Sequence, residues 1–154
     1  MKRLIVDTGI WYAVLDKTDS RMECADDIAK ILEKHQLFVP YPSLYETINT
    51  RLIRNEYHQA DKLFAYLNNP EKVVLVPDDK YRETALKAVQ FNLSNGKHYS
   101  LVDMIIRLMM EDETLGPRSV ITFNVKDFCG VNAIEVIDPS QFSMSREKKM
   151  RKKK

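Results

Sequence analysis

Cysteine is nearly absent from this chain: two residues, Cys24 and Cys129, in 154. They lie too far apart for a metal-ligand motif, and so few thiols exclude a disulfide-stapled scaffold and point to a reducing, cytoplasmic setting. Glycine is equally sparse, and none of its four occurrences falls in a glycine-rich loop, which excludes a nucleotide-type phosphate cradle. The three histidines, His35, His58 and His98, show no ligand spacing and read as surface or loop residues. No run approaches the roughly 20 apolar residues of a membrane span. The first apolar run stops at Asp7, too soon for the core of a signal peptide. A soluble chain is expected.

What is present is apolar residue in quantity, 44% of the total, enough for one domain with a proper core and too short a chain for two. The net charge of +2 hides an asymmetry. Arg146 to Lys154 carries seven positive charges against one negative, so the body is near −4. The boundaries expected are a domain over 1–141 and a basic, disordered tail over 142–154, the latter a possible arm for polyanions.

Short β-branched runs alternate with helical stripes. Leu4–Val6, Leu37–Val39, Val73–Val76, Ser119–Thr122 and Ala133–Ile137 read as strands buried on both faces. Between them fall stripes at Met22, Ala25, Ile28, Ala29 and Leu32, at Leu44, Ile48 and Leu52, at Ala60, Leu63, Phe64 and Leu67, and at Tyr81, Ala85, Ala88 and Val89. Strands spaced by helices require crossover connections. The predicted class is α/β: a central, mostly parallel five-stranded sheet with helices on both faces.

Four acids stand where a strand has just ended or a helix is about to begin, the places where α/β proteins collect ligands. Asp7 follows Leu4-Ile5-Val6, and a helix cap would also account for it. Glu46 follows Ser43 at capping-box spacing. Asp103 repeats that spacing after Ser100, at the head of a helix whose residues Leu101, Val102, Met104, Ile105, Ile106, Leu108, Met109 and Met110 cover nearly every face. A carboxylate on such a helix needs a partner, either Arg107 one turn on or a metal. Asp127 closes the segment Thr122-Phe123-Asn124-Val125-Lys126-Asp127, where turn chemistry would explain both Asn124 and Asp127.

Converging carboxylates suit a hard cation such as Mg²⁺ or Mn²⁺, and carboxylate-bound metal suggests phosphodiester hydrolysis. Leu-Ile-Val-Asp-Thr at 7, Pro-Ser-Leu-Tyr-Glu at 46, Ser-Leu-Val-Asp-Met-Ile-Ile at 103 and Ile-Thr-Phe-Asn-Val-Lys-Asp-Phe at 127 together resemble the PIN domain family over about residues 2–139. The resemblance is closest to the small VapC-like toxins of type II toxin–antitoxin systems. It implies a PIN-like three-layer sandwich and a metal-dependent endoribonuclease cutting tRNA, rRNA or mRNA, inhibited by a small antitoxin and commonly a homodimer. It maps Asp7, Glu46 and Asp103 onto the first three acidic positions, with Asp7 and Asp103 as the metal pair. At the fourth, where many relatives carry aspartate, stands Asn124. Asn124 is expected to position water or substrate, with Asp127 supplying any remaining acidic function, so one ion binds firmly and a second only once RNA phosphate completes its shell.

Two rival readings are weighed beside this one. Asp7-Thr8-Gly9 has the form of an aspartic protease loop, but that chemistry needs two facing loops on a mostly β scaffold, and the chain holds one copy amid helical periods. A PIN-like module that binds RNA or protein without cutting would accommodate Asn124. For RNA contact the candidate cations are Arg51 and Arg54, read as lying on the helix that carries Glu46, together with Lys126 and the tail.

Overall fold

The computed structural model describes residues 1–16, 18–131 and 134–142. Of the basic tail anticipated over 142–154, all but Phe142 lies outside the described residues. Five strands form one sheet: β1 (Lys2–Val6), β2 (His35–Pro40), β3 (Val73–Val76), β4 (Ser119–Ile121) and β5 (Glu135–Ile137). All neighbouring pairs are parallel, in the order β3-β2-β1-β4-β5. From β1 the chain winds outward through β2 to β3, then returns to add β4 and β5 on the other side. The winding therefore reverses between β1 and β4, and a crevice opens beyond their carboxyl ends.

Alternation along the strands sends successive side chains to opposite faces. Leu4, Val6, Leu37 and Val39 pack on one face against α1 (Thr8–Leu15), α2 (Ala25–Glu33) and α5 (Tyr57–Leu67), through Ile10, Trp11, Ile28, Leu32 and Leu63. Ile5, Phe38 and Val120 face the other way, onto α6 (Asp79–Ser94) and α7 (Leu101–Glu111). In α7, Met104, Ile105, Ile106, Met109 and Met110 are all buried, as the sequence pattern requires. Burial on both faces holds for the central strands only. Leu75 on β3 is 37% exposed and Glu135 on β5 is exposed, because these strands are the sheet edges and one flank of each has no neighbour. His35, expected on the surface, belongs to β2 and is partly buried, its Nδ1 within 2.7 Å of the Ile31 carbonyl oxygen.

The stripe Leu44, Ile48, Leu52 is not one helix but two, α3 (Tyr41–Thr47) and α4 (Thr50–Asn55). Asn49 breaks it. Its side-chain oxygen accepts from the Arg51 and Leu52 amides at 2.9 and 3.2 Å, while its amide group donates to the Glu46 carbonyl at 2.7 Å and the Tyr12 hydroxyl at 2.8 Å. These bonds offer the backbone an alternative to continuing α3 and start a new helix. Nor is Ser43 an N-cap. α3 begins two residues earlier with Pro42 in its first turn, which leaves Ser43 buried within the helix. Arg51 and Arg54 consequently lie on α4, a separate helix from the one carrying Glu46.

Because Asn49 satisfies two amides of α4 and tethers both α3 and α1, its removal is felt beyond its own helix. Asn49→Ala is expected to cost about 1–2 kcal/mol of stability, read as a lower midpoint in urea unfolding. A midpoint equal to wild type would show that the cap contributes nothing.

Candidate functional site

Asp7 is the first residue after β1 and the N-cap of α1. Its Oδ1 accepts from the Thr8 amide at 2.7 Å, and its own N–H donates to Ile121 of β4 at 3.2 Å. Its Oδ2 accepts from the Thr122 hydroxyl at 2.7 Å, and Thr122 in turn accepts from the Asn124 amide at 2.8 Å. The helix-cap reading of Asp7 is therefore correct, and it does not compete with a functional one, because the cap sits in the crevice between β1 and β4.

Glu46 reaches the same place from α3. Its Oε2 accepts from the Thr8 hydroxyl at 2.6 Å, so one residue holds two of the acids: Asp7 is bonded to the Thr8 backbone and Glu46 to the Thr8 side chain. Asp103 arrives from the first turn of α7. Ser100 and Asp103 form the capping box expected from their spacing, with the Ser100 hydroxyl donating to Asp103 Oδ2 at 2.6 Å and accepting from the Asp103 amide at 3.0 Å. The positive end of α7 thus offsets part of the charge that the sequence assigned to Arg107 or a metal. Arg107 does not pair with Asp103. Its guanidinium donates to the Asp127 carbonyl oxygen at 2.5 Å and lies over the Tyr99 ring, fastening α8 (Val125–Phe128) to α7.

Burial pushes the Asp7 carboxyl above its ordinary value, and the negative charges of Asp103 and Glu46 push it the same way, against the bonds from Thr122 and Thr8. Asp103 and Glu46 are near enough for their charges to act on Asp7. Asp127 is held apart. Its Oδ2 accepts from the Asn124 side-chain amide, and the pair connects to Asp7 only through Thr122. Lys126 is exposed on α8, and Arg54 is exposed on α4. Arg51 pairs with Asp16 at 2.8 Å and Glu56 at 3.2 Å, so its charge is largely committed locally.

Among the described residues, no three His, Cys, Asp or Glu side chains close on a common point. One carboxylate oxygen of Glu46 is engaged by Thr8 and one of Asp103 by Ser100. The donors available are all oxygens, as a hard cation requires, and Mg²⁺ is commonly held by one or two carboxylates with waters and phosphates filling its shell. Asp7 and Asp103 fit that requirement. A buried carboxyl that is costly to ionise, with two like charges near and no cation bonded to it, is a site that a divalent ion would relieve.

Sequence reasoning missed Thr8, Thr122 and Arg21. Thr122 follows β4 directly and Thr8 follows β1 by two residues, positions that could have signalled them. Arg21 shows no sequence signal; the folded chain places it over Gly9 and Phe123, within the electrostatic reach of Asp7.

No protein-family model matches the chain, and no curated protein matches it. Solved structures do. The chain is similar to VapC20 of Mycobacterium tuberculosis, a sarcin–ricin loop cleaving toxin, with a TM-score of 0.66 at 21% identity over 86% of this chain and 98% of that one. It is similar to the DNA-bound VapBC of Salmonella typhimurium, with a TM-score of 0.62 at 13% identity over 90% and 99% of the two chains. A toxin–antitoxin complex from Klebsiella pneumoniae matches with a TM-score of 0.56 at 20% identity over 88% and 97%. These likenesses show the fold, the PIN-like three-layer sandwich expected from the sequence. The aspartic protease arrangement is not the one adopted: Asp7-Thr8-Gly9 leads into a helix on a parallel sheet.

A raised Asp7 pKa means that the folded state resists ionisation there. The stability this confers is complete below the ordinary aspartate value of 3.8 and is lost as pH rises through the raised value. In chelator-containing buffer, the melting temperature of wild type is expected to fall relative to Asp7→Asn as pH rises from about 4 to 7. A difference that does not change with pH would contradict the assigned burial penalty.

Proposed function

We propose that the chain is a Mg²⁺- or Mn²⁺-dependent endoribonuclease, acting as the toxin of a toxin–antitoxin pair. The observation that carries this reading is the buried Asp7 at the β1–β4 switch point, its ionisation opposed by Glu46 and Asp103. Asp7 and Asp103 would hold the ion, which supplies a water of lowered pKa and offsets charge on the phosphate. Thr122 holds Asp7 in place through Oδ2. Thr8 orients Glu46 through Oε2, leaving Oε1 to accept a proton from the attacking water. Asn124 steadies Asp127 at the rim, where that carboxylate positions water or a ribose hydroxyl. Support for RNA as substrate comes from the fold shared with a toxin that cleaves the sarcin–ricin loop.

A small antitoxin and a second copy of the chain belong to the same reading. A cleft of about 170 Å³ between α1, α2 and α5, lined by Trp11, Val14, Leu15, Leu32, Leu63 and Tyr66, suits an apolar partner segment. For self-association the exposed apolar residues are Leu86, Phe91 and Leu93 of α6. Among the described residues no helix is long and apolar enough to cross a membrane.

The test is cleavage of a structured RNA pool by purified, partner-free protein with Mg²⁺ or Mn²⁺. Asp7→Asn and Asp103→Asn are each expected to slow cleavage by more than about a hundredfold, beyond the 10- to 100-fold usual for groups that only support metal ligands. Thr122→Val should fall within that lesser range. Added Mg²⁺ should raise the melting temperature of wild type and leave Asp7→Asn unchanged. Wild type that binds RNA yet cuts none with either metal would replace this reading with the non-catalytic module that Asn124 favours.

A further inference from the structure

Arg21 precedes the 3₁₀ turn Met22–Cys24 that leads into α2, and its side chain reaches back over the start of α1. The guanidinium is forked onto Asp19, with Nε donating to Oδ1 at 2.8 Å and Nη2 to Oδ2 at 2.6 Å. The Arg21 backbone amide donates to the same carboxylate at 2.8 Å. From the other side the Phe123 ring supports it, 5.0 Å from guanidinium carbon to ring centre. A planar cation held by a bidentate acid and an aromatic face has little freedom left.

Gly9 completes the arrangement. A Cβ placed there would stand 3.0 Å from Arg21 Nη1 and 3.6 Å from Phe123 Cδ2. Its backbone lies in a helix and not in the left-handed region, so conformation does not require glycine. Glycine in a helix is less favourable than alanine by roughly 0.5–1 kcal/mol, and the space it leaves for Nη1 accounts for its presence.

The pairing is unexpected in one respect. An arginine beside a cluster of acids would ordinarily bond to one of them; this one bonds to Asp19, while Asp7 acts on it only through its field. Its Nη1 edge donates to nothing among the described residues, and the side chain is 38% exposed. An acidic crevice repels an incoming polyanion, and a fixed guanidinium with a free edge at its margin is the group that counters this.

We propose that Arg21 binds a non-bridging oxygen of an RNA phosphate adjacent to the cleaved linkage, through its Nη1 edge above Gly9. This rests on the nuclease reading and names a substrate contact for it. Asp19 sets the angle of the guanidinium, Phe123 fixes its plane and Gly9 leaves the opening.

The experiment measures binding apart from cleavage. In an Asp103→Asn background with Mg²⁺, the affinity for a fluorescent single-stranded RNA is followed by anisotropy across a salt series, and folding is checked by circular dichroism. Adding Arg21→Gln should weaken binding roughly tenfold and lower the log–log salt slope by about 0.7, the value for one phosphate on a single strand. Adding Gly9→Ala should weaken binding while the slope holds, since the charge stays and only its position is lost. If the parent binds RNA and wild type cuts it, yet folded Arg21→Gln matches the parent in affinity and slope, the Arg21 assignment alone is overturned. Should Arg21→Gln not fold, a folded Gly9→Ala with unchanged affinity overturns it equally. A parent that binds no RNA, with wild type that cuts none, removes the nuclease reading and the contact together.

Discussion

The arrangement depends on one carboxylate kept in a place that disfavours its charge. Asp7 ends the central strand, caps the first helix and accepts a hydrogen bond from the residue that follows β4, so it joins the two halves of the sheet where their winding diverges. Moving it would unfasten α1 from β4. The same bonds that anchor it do not fully offset burial and two like charges, so its carboxyl stays above the ordinary aspartate value.

Threonine hydroxyls do much of the positioning. Thr8 holds Glu46 and Thr122 holds Asp7, each within two residues of its strand's end and each short enough to set an acid's direction without adding charge. Asparagine side chains act at two further points. Asn49 turns α3 into α4 and so sets how Glu46 is presented, and Asn124 restrains Asp127. With Asn124 at the fourth position, the acid trio is left with a hydrogen-bonded rim in place of another charge facing Asp7.

Cations near the crevice are committed to other partners. Arg107 locks α8 to α7, Arg51 is paired with Asp16 and Glu56, and Arg21 is held by Asp19. Among the described residues none of them bonds to Asp7, Glu46 or Asp103, and Arg21 lies against Gly9 and Phe123.

Much was legible in the sequence. Five short apolar runs and the intervening helical periods reported local preference and burial, which repeat at spacings of two and 3.6 residues wherever a chain packs both faces of a sheet. Asp7 and Asp103 were legible because a strand end and a helix start are themselves local signals, with the Ser100–Asp103 box visible at its three-residue spacing. Glu46, in contrast, was picked out by a capping-box spacing that α3 does not form, and it stands near that helix's end. What could not be read locally was decided by contacts between distant segments. The break at Asn49 depends on Tyr12 being opposite, the orientation of Arg107 on the Asp127 carbonyl of α8, the commitment of Arg51 on Asp16, and the place of Arg21 on the missing side chain of Gly9 and the ring of Phe123. Sequence alone determined the layers and the acids, because burial and periodicity act within a single segment. Tertiary structure alone decided which charges face one another, because electrostatic energy depends on distance through space and not along the chain.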